Sequence, residues 1–336
     1  MGVLKVFIEE AKKLSGTVIF AEGDEERTLE AAVRLSRDGI CKAVAVAKTK
    51  EVIEEAAAKK KLDISAIKLV VPSKDLLAGA VLEGFLQRMT AKGLTAEAAM
   101  QSALEPLNFS ALYVKSGYAN GCVAGARSST ADVLRAAIYG IGPGAGTKVV
   151  SSFFLMIPPD GHPLIKKPVI YADCGVNPDP GAQGLKDIAV ASVYSFKSLF
   201  PSEKPRVAFL SFSTKGSAEH KSLLKIREAV GDTREHFADD PTVSVDGEMQ
   251  FDAAAVDAVG RKKAPGSPVA GNANIFIFPD LNSGNICYKI TERLGLFTAI
   301  GPIIQGLSMP MNDLSRGCSV DDIYYVSVIT LLKSRW

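Results

Sequence analysis

The sequence predicts an α/β protein of two doubly wound domains, and three observations carry that expectation. Short apolar runs alternate with amphipathic stretches along the chain, the order that builds parallel sheets. Most of these runs end in a polar turn that contains glycine, and open α/β sheets bind ligands at such turns. At 336 residues the chain exceeds one typical core, so two domains are expected.

Taken in order, Met1 to Leu14 alternates apolar and charged residues like an amphipathic helix. Thr17–Ala21 reads as a buried strand that ends in Glu22-Gly-Asp-Glu-Glu-Arg27, with a helix from Thr28 to Arg37 behind it. A strand at Lys42–Val46, a helix at Glu51–Lys61 and a short strand at Lys68–Val71 follow. Gly117–Gly125 repeats the theme as strand and small-residue turn before a helix at Thr130–Tyr139. Arg127, Ser128, Ser129 and Thr130 fall at the start of that helix, where a phosphate would be held.

Gly140-Ile-Gly-Pro-Gly-Ala-Gly146 is the clearest break in composition. The following Thr147-Lys148 reverses the Lys-Ser/Thr order of a phosphate loop, and the stretch follows a helix and precedes a strand. It reads as a hinge or domain boundary. A second α/β region begins at Lys148–Ile157 and continues with a strand at Pro168–Ala172, the turn Asp173–Pro180 and a helix through Leu199. Strands at Arg206–Phe212 and Asn274–Phe278 come next, the second leading into a helix that reaches Leu294.

Near the C-terminus, Asn312-Asp-Leu-Ser-Arg-Gly-Cys-Ser-Val-Asp-Asp322 reads as a polar loop and a helix start. Ser319 is a good N-cap, and Asp322 three residues later completes a capping box. Ile323, Val326, Ile329 and Leu332 recur at helical spacing, so the helix buries one face. The first turn offers free backbone N–H groups beside Ser315 and the Arg316 guanidinium, a combination suited to an anion. By itself such a pattern is usually just a helix cap.

Composition narrows the field. A net charge of +2 provides no general field for nucleic acid or an anionic membrane, so any basic site is local. Five scattered cysteines without a Cys-x-x-Cys pair fit reduced thiols in the cytoplasm. No run approaches the length of a membrane span. The three histidines, His162, His220 and His236, lack metal-ligand spacing. Neither a Gly-x-Ser-x-Gly elbow nor a Gly-x-Gly-x-x-Gly turn follows the early strands, so hydrolase and dinucleotide readings fall away. Ser, Arg, Lys and Asp in turns remain, equipment for small molecules that carry phosphate.

Several stretches together resemble one family. Asp173–Pro180, Leu210-Ser-Phe-Ser-Thr-Lys-Gly-Ser217, Asp246-Gly-Glu-Met-Gln-Phe-Asp252, Phe278-Pro-Asp-Leu-Asn-Ser-Gly-Asn285 and Asn312–Asp322 occur in the order found in phosphate acetyltransferases. The resemblance covers essentially the whole chain. It implies reversible transfer of an acetyl group between coenzyme A and inorganic phosphate, with acetyl-CoA, phosphate and acetyl phosphate as substrates and products. Coenzyme A is then a substrate, and no cofactor or metal is expected. It also implies a homodimer whose two α/β domains flank an active-site cleft. The first domain would be 1–147 completed by 305–336, and the second 148–304.

Matched by motif, Asp322 corresponds to the family's general base, Arg316 to its essential anion-binding arginine and Ser315 to the adjacent serine. Arg135 matches a second arginine associated with CoA or phosphate, and its other reading is a solvated helix arginine. Arg88 is the candidate for a third. The family's Arg-Lys-x-Lys-Gly-Met-Thr reads here Arg88-Met-Thr-Ala-Lys-Gly-Leu-Thr95, which displaces the arginine by one residue. Arg27 and Arg293 also fall in matching stretches, with structural roles equally open. Ser128 stands where the family often has histidine. If Asp322 were only a cap, Asp173 and Asp280 would be the next candidates for the base. The rival readings are a phosphate butyryltransferase and a non-catalytic CoA-binding regulatory domain.

Overall fold

The computed structural model describes residues 2–144 and 147–335. The last two residues of the glycine-rich stretch, Ala145 and Gly146, thus lie outside the described residues, and with them part of the expected hinge. The chain divides into two compact units, Met1–Ala145 with Leu307–Trp336, and Gly146–Gly306.

In the first unit, α1 (Gly2–Leu14) leads to β1 (Thr17–Phe20), α2 (Glu26–Arg37), β2 (Lys42–Val46), α3 (Lys50–Lys60) and β3 (Lys68–Val70). Three helices then follow without a strand: α4 (Gly79–Ala91), α5 (Ala96–Leu104) and α6 (Pro106–Lys115). After β4 (Gly121–Ala124), α7 (Thr130–Ala136) runs into a π-helical turn at Ala137–Ile141.

In the second unit come β5 (Ser151–Ile157), β6 (Val169–Ala172), α8 (Ala182–Leu199), β7 (Arg206–Leu210), α9 (Lys221–His236) and β8 (Ser244–Met249). It continues with α10 (Phe251–Ala255), α11 (Asp257–Lys263), β9 (Ile275–Ile277), α12 (Leu281–Arg293) and β10 (Thr298–Gln305). The chain then returns to the first unit as β11 (Met311–Asp313) and α13 (Val320–Lys333).

The first sheet has the order β11-β4-β1-β2-β3, and every pairing in it is parallel. Its strands are buried on both faces: Val18, Ile19 and Phe20 are inaccessible to solvent, as are Cys122 and Val123. Helices α2 and α13 pack on one another, and α6 packs against β1 and β4. Strand order reverses between β1 and β4, so the carboxyl ends of those two strands form the switch point of the sheet.

The second sheet has the order β10-β5-β6-β9-β7-β8, and it departs from the parallel arrangement that alternation predicts. Strand β5 runs antiparallel to both β10 and β6. Residues 158–168 between β5 and β6 contain no helix, and without a crossover element the next strand returns in the opposite direction. The core on one face of this sheet gathers Phe154, Met156, Tyr171, Phe276 and Phe278.

The polar loop expected at Asn312 is in part the strand β11, with Asn312 and Asp313 buried. Its pairing with β4 lies far away in sequence, so local composition could not reveal it.

Candidate functional site

The switch point of the first sheet is held by a buried carboxylate. Glu22 follows β1 and is 6% exposed. Its Oε2 accepts from the amides of Gly125 at 3.0 Å and Ala126 at 2.8 Å. Its Oε1 accepts from Arg127 at 3.2 Å and Ser128 at 2.7 Å. Residues Arg127 to Thr130 were expected where a phosphate would be held; the amides of Arg127 and Ser128 donate to Glu22, so a carboxylate of the chain itself already meets them. Gly125 makes the approach possible. Its φ is +103°, and a Cβ there would stand 2.1 Å from Asp313 Oδ1 and 2.7 Å from the Leu314 amide.

The hydroxyls after this turn also have structural partners. Ser129 caps α7, accepting from the Asp132 amide at 3.2 Å and donating to Asp132 Oδ2 at 2.7 Å. Thr130 Oγ1 donates to Asp313 Oδ2 at 2.6 Å. Arg127 clamps Asp24 through two hydrogen bonds of 3.1 and 2.8 Å. Arg135 pairs with Asp132 at 2.7 Å on the exposed side of α7. Arg88 lies on α4 and donates to the Tyr139 carbonyl through Nε at 3.2 Å and Nη2 at 2.8 Å. It thereby holds the π-helical turn just beyond Arg135.

The C-terminal stretch assembles differently. Strand β11 delivers Asp313 beside the end of β4, and Ser315, Arg316 and Gly317 emerge exposed. Arg27 fastens this loop: Nη1 donates to the carbonyls of Arg316 at 3.0 Å and Cys318 at 2.7 Å, and Nη2 to that of Ala126 at 3.0 Å. One guanidinium therefore joins the loops after β4 and β11. Among the described residues, the Arg316 side chain meets no carboxylate or hydrogen-bond acceptor, which leaves its planar fork open to solvent. The Ser315 hydroxyl accepts from the Gly317 amide at 3.2 Å, and among the described residues its own proton meets no acceptor.

Helix α13 starts with the capping box read from the sequence. Ser319 Oγ accepts from the Asp322 amide at 3.1 Å, and Asp322 Oδ2 accepts from Ser319 N at 2.8 Å and Oγ at 2.9 Å. Among the described residues, Asp322 Oδ1 meets no donor. The cap thus orients the carboxylate and leaves one oxygen facing solvent. Arg34 holds this end of α13 by pairing with Asp321 and lying 4.3 Å over the Tyr324 ring.

The structure therefore places the residues singled out by sequence in two groups. Ser315, Arg316 and Asp322 share the loop and first turn before and within α13. Ser128 and Arg135 instead border a cavity of about 700 Å3 at the carboxyl ends of β1 and β2. The cations along it, Lys48, Arg127 and Arg135, are matched with Glu105, Asp24 and Asp132. Of the two reserve candidates for a base, Asp173 is bonded on both oxygens and Asp280 on one. Asp173, 2% exposed, accepts from Ser152 Oγ at 2.7 Å and Asn177 Nδ2 at 2.6 Å, and from the amides of residues 175–177. Asp280 caps α12 through the Ser283 amide at 2.8 Å.

Local pattern gave no hint of Glu22 or Asp313, because their partners lie more than a hundred residues away. Asp313 is 1% exposed, and among the described residues its buried Oδ1 has no hydrogen-bond partner. Burial pushes its carboxyl up to about 6, with the Thr130 hydroxyl acting against the shift and nearby Glu22 adding to it. A carboxyl raised in the folded state stabilises the protein below its unfolded value, and that contribution is lost as pH rises through about 6. Comparing urea unfolding of wild type and Asp313→Asn from about pH 4 to 7 should expose this. The stability difference should change by on the order of 3 kcal/mol, wild type losing ground as pH rises. Parallel pH profiles would show that Asp313 ionises normally.

Comparison with known proteins shows which family the chain belongs to. Residues 3–331 match the family described as phosphate acetyl/butaryl transferase. The chain is 42% identical over 335 residues to the phosphate acetyltransferase of Thermoanaerobacterium thermosaccharolyticum, covering 100% of both chains. Among solved structures it is similar to the EutD phosphotransacetylase from Staphylococcus aureus. The TM-score is 0.88 at 38% identity, with 99% of this chain and 98% of the other covered. A phosphotransacetylase from Streptococcus pyogenes gives the same TM-score, 0.88, at 37% identity and 98% coverage of both chains. The chain belongs to the phosphate acetyl/butaryl transferase family.

Proposed function

We propose that this chain is a phosphate acetyltransferase, interconverting acetyl-CoA and phosphate with acetyl phosphate and CoA. The observation that carries the reading is the start of α13, where Asp322 is oriented through Oδ2 and open at Oδ1, just after the unpaired Arg316. End-to-end similarity to proteins named phosphate acetyltransferase supports acetyl as the group moved.

A free thiol has a pKa of about 8.5, so only a few per cent is thiolate at neutral pH. Asp322 Oδ1 takes the thiol proton of CoA as the sulfur attacks the carbonyl carbon of acetyl phosphate. The new C–S bond forms, negative charge gathers on the carbonyl oxygen, and the Ser315 hydroxyl donates to it. The bond between the carbonyl carbon and the bridging oxygen then breaks, phosphate leaves against the Arg316 fork, and the proton on Asp322 passes to the departing phosphate or to solvent. The reverse direction runs through the same groups. Arg135 and Ser128, beside the neighbouring cavity, serve binding of CoA or phosphate. Ser129, Thr130 and Arg88 hold the framework through the bonds described above.

The test is release of free thiol from acetyl-CoA when phosphate is added, repeated with butyryl-CoA. Rapid release from acetyl-CoA supports the proposal. Preference for butyryl-CoA would make the chain a butyryltransferase, and no release from either would leave a CoA-binding regulatory domain. The reaction as drawn needs no cofactor, and none of its steps needs a metal. Turnover is therefore expected to be unchanged in a chelator, and loss restored by zinc or magnesium would overturn that part of the mechanism.

The proposal extends to a homodimer in a reducing, cytoplasmic setting. Helix α12 and the turn after it expose Ile286, Ile290, Leu294 and Leu296, an apolar strip suited to a second copy. The five cysteines are free thiols, four of them buried. Ile290→Asp is expected to sediment as a monomer where wild type sediments as a dimer. A dimer that persists in the variant would move the interface elsewhere.

A further inference from the structure

A second cavity, of about 630 Å3, opens at the amino-terminal end of the first sheet, the end opposite the loops that carry Arg316 and Glu22. Its floor follows from strand register. Thr17 pairs with Lys42 and Val44 with Lys68. Side chains alternate along a strand, so Thr17, Lys42, Val44 and Lys68 share one face of the sheet. All four line the cavity. Two tyrosines form its wall. Tyr113 of α6 is 6% exposed and accepts from Lys68 Nζ at 3.3 Å. Tyr118 is 50% exposed, with its ring 5.2 Å from that of Tyr113.

The charge in this cavity is one-sided. Among the described residues, neither Lys42 nor Lys68 has a carboxylate within ion-pair distance, unlike the cations of the cavity at the carboxyl ends. Two cations on a concave floor attract an anion more strongly than the same charges on a flat surface. A tetrahedral anion alone would leave most of the volume and the tyrosine wall unused. A volume of this size lies within the range of about 300–1,000 Å3 typical of small-molecule sites. The exposed Tyr118 ring offers a π face to a planar group.

We propose that this cavity binds a nucleoside phosphate, with the base against Tyr118 and the phosphate between Lys42 and Lys68. The site is separate from the residues assigned to acetyl transfer, so its occupant acts as an effector and not as a reactant.

Adenosine 5′-monophosphate is the probe, titrated calorimetrically into the full chain with CoA held at saturation. Binding is expected with CoA present, and adenosine or inorganic phosphate alone should bind at least about tenfold more weakly. Lys42→Glu with Lys68→Glu should weaken binding roughly tenfold or more, and Tyr118→Ala should weaken it independently. All three positions are exposed, and basal turnover should be unchanged. Absence of binding up to about 10 mM would overturn the proposal. So would complete displacement by CoA, or affinity unaltered in both variants. Phosphate binding as well as the nucleotide would reduce the site to a simple anion site and refute the role given to Tyr118.

Discussion

Replacing Asp322 by Asn is expected to lower turnover by roughly 10²-fold or more while the melting temperature barely moves. The capping box makes this substitution discriminating. Asp322 Oδ2 accepts both the amide and the hydroxyl of Ser319, and an asparagine oxygen can accept the same pair. A residue that served only as a cap would therefore cost about 1 kcal/mol of stability or less, with turnover intact below the melting transition. A base, by contrast, is lost outright, because the amide cannot take the thiol proton. Raising the pH should partly rescue the variant, since more CoA is then already thiolate. Intact turnover with a lowered melting temperature would leave Asp322 as a cap. The search for a base would then pass to Asp280, which caps through one oxygen only, before Asp173, which is buried and bonded on both oxygens.

Arg316→Lys is expected to lose turnover by roughly 10²-fold or more with folding unaffected. The side chain is exposed, and the loop is held through its backbone carbonyl by Arg27, so the loop does not depend on the guanidinium. Lysine keeps the charge but not the planar fork, and phosphate is then contacted at one point instead of two. Steady-state rates in both directions, beside thermal unfolding, would separate the cases. Near wild-type rates would reduce Arg316 to a surface charge.

Much of this protein is legible from short-range chemistry. Most of the strands and helices that the sequence announces are present, because apolar periodicity and caps operate within one or two turns. Thr17–Phe20, Lys42–Val46 and Ala182–Leu199 follow from their own residues, and so does the Ser319–Asp322 box. The orders of motifs around Asp173, Leu210, Asp246, Phe278 and Asn312 were enough to resemble one family.

Contacts that close over long sequence distances were decided only by the tertiary structure. Glu22 was one acid in an acidic turn until β1 and β4 became neighbours and brought four amides onto it. That contact makes the turn after β4 an internal brace. Asn312 and Asp313 read as loop because a three-residue strand has too little local signal, and pairing with β4 makes them strand. Arg27 could be placed on a helix from sequence, but not against carbonyls 289 and 291 residues away. Local sequence fixes what a segment can be. Burial and pairing with distant segments decide which of its polar groups remain open to a ligand.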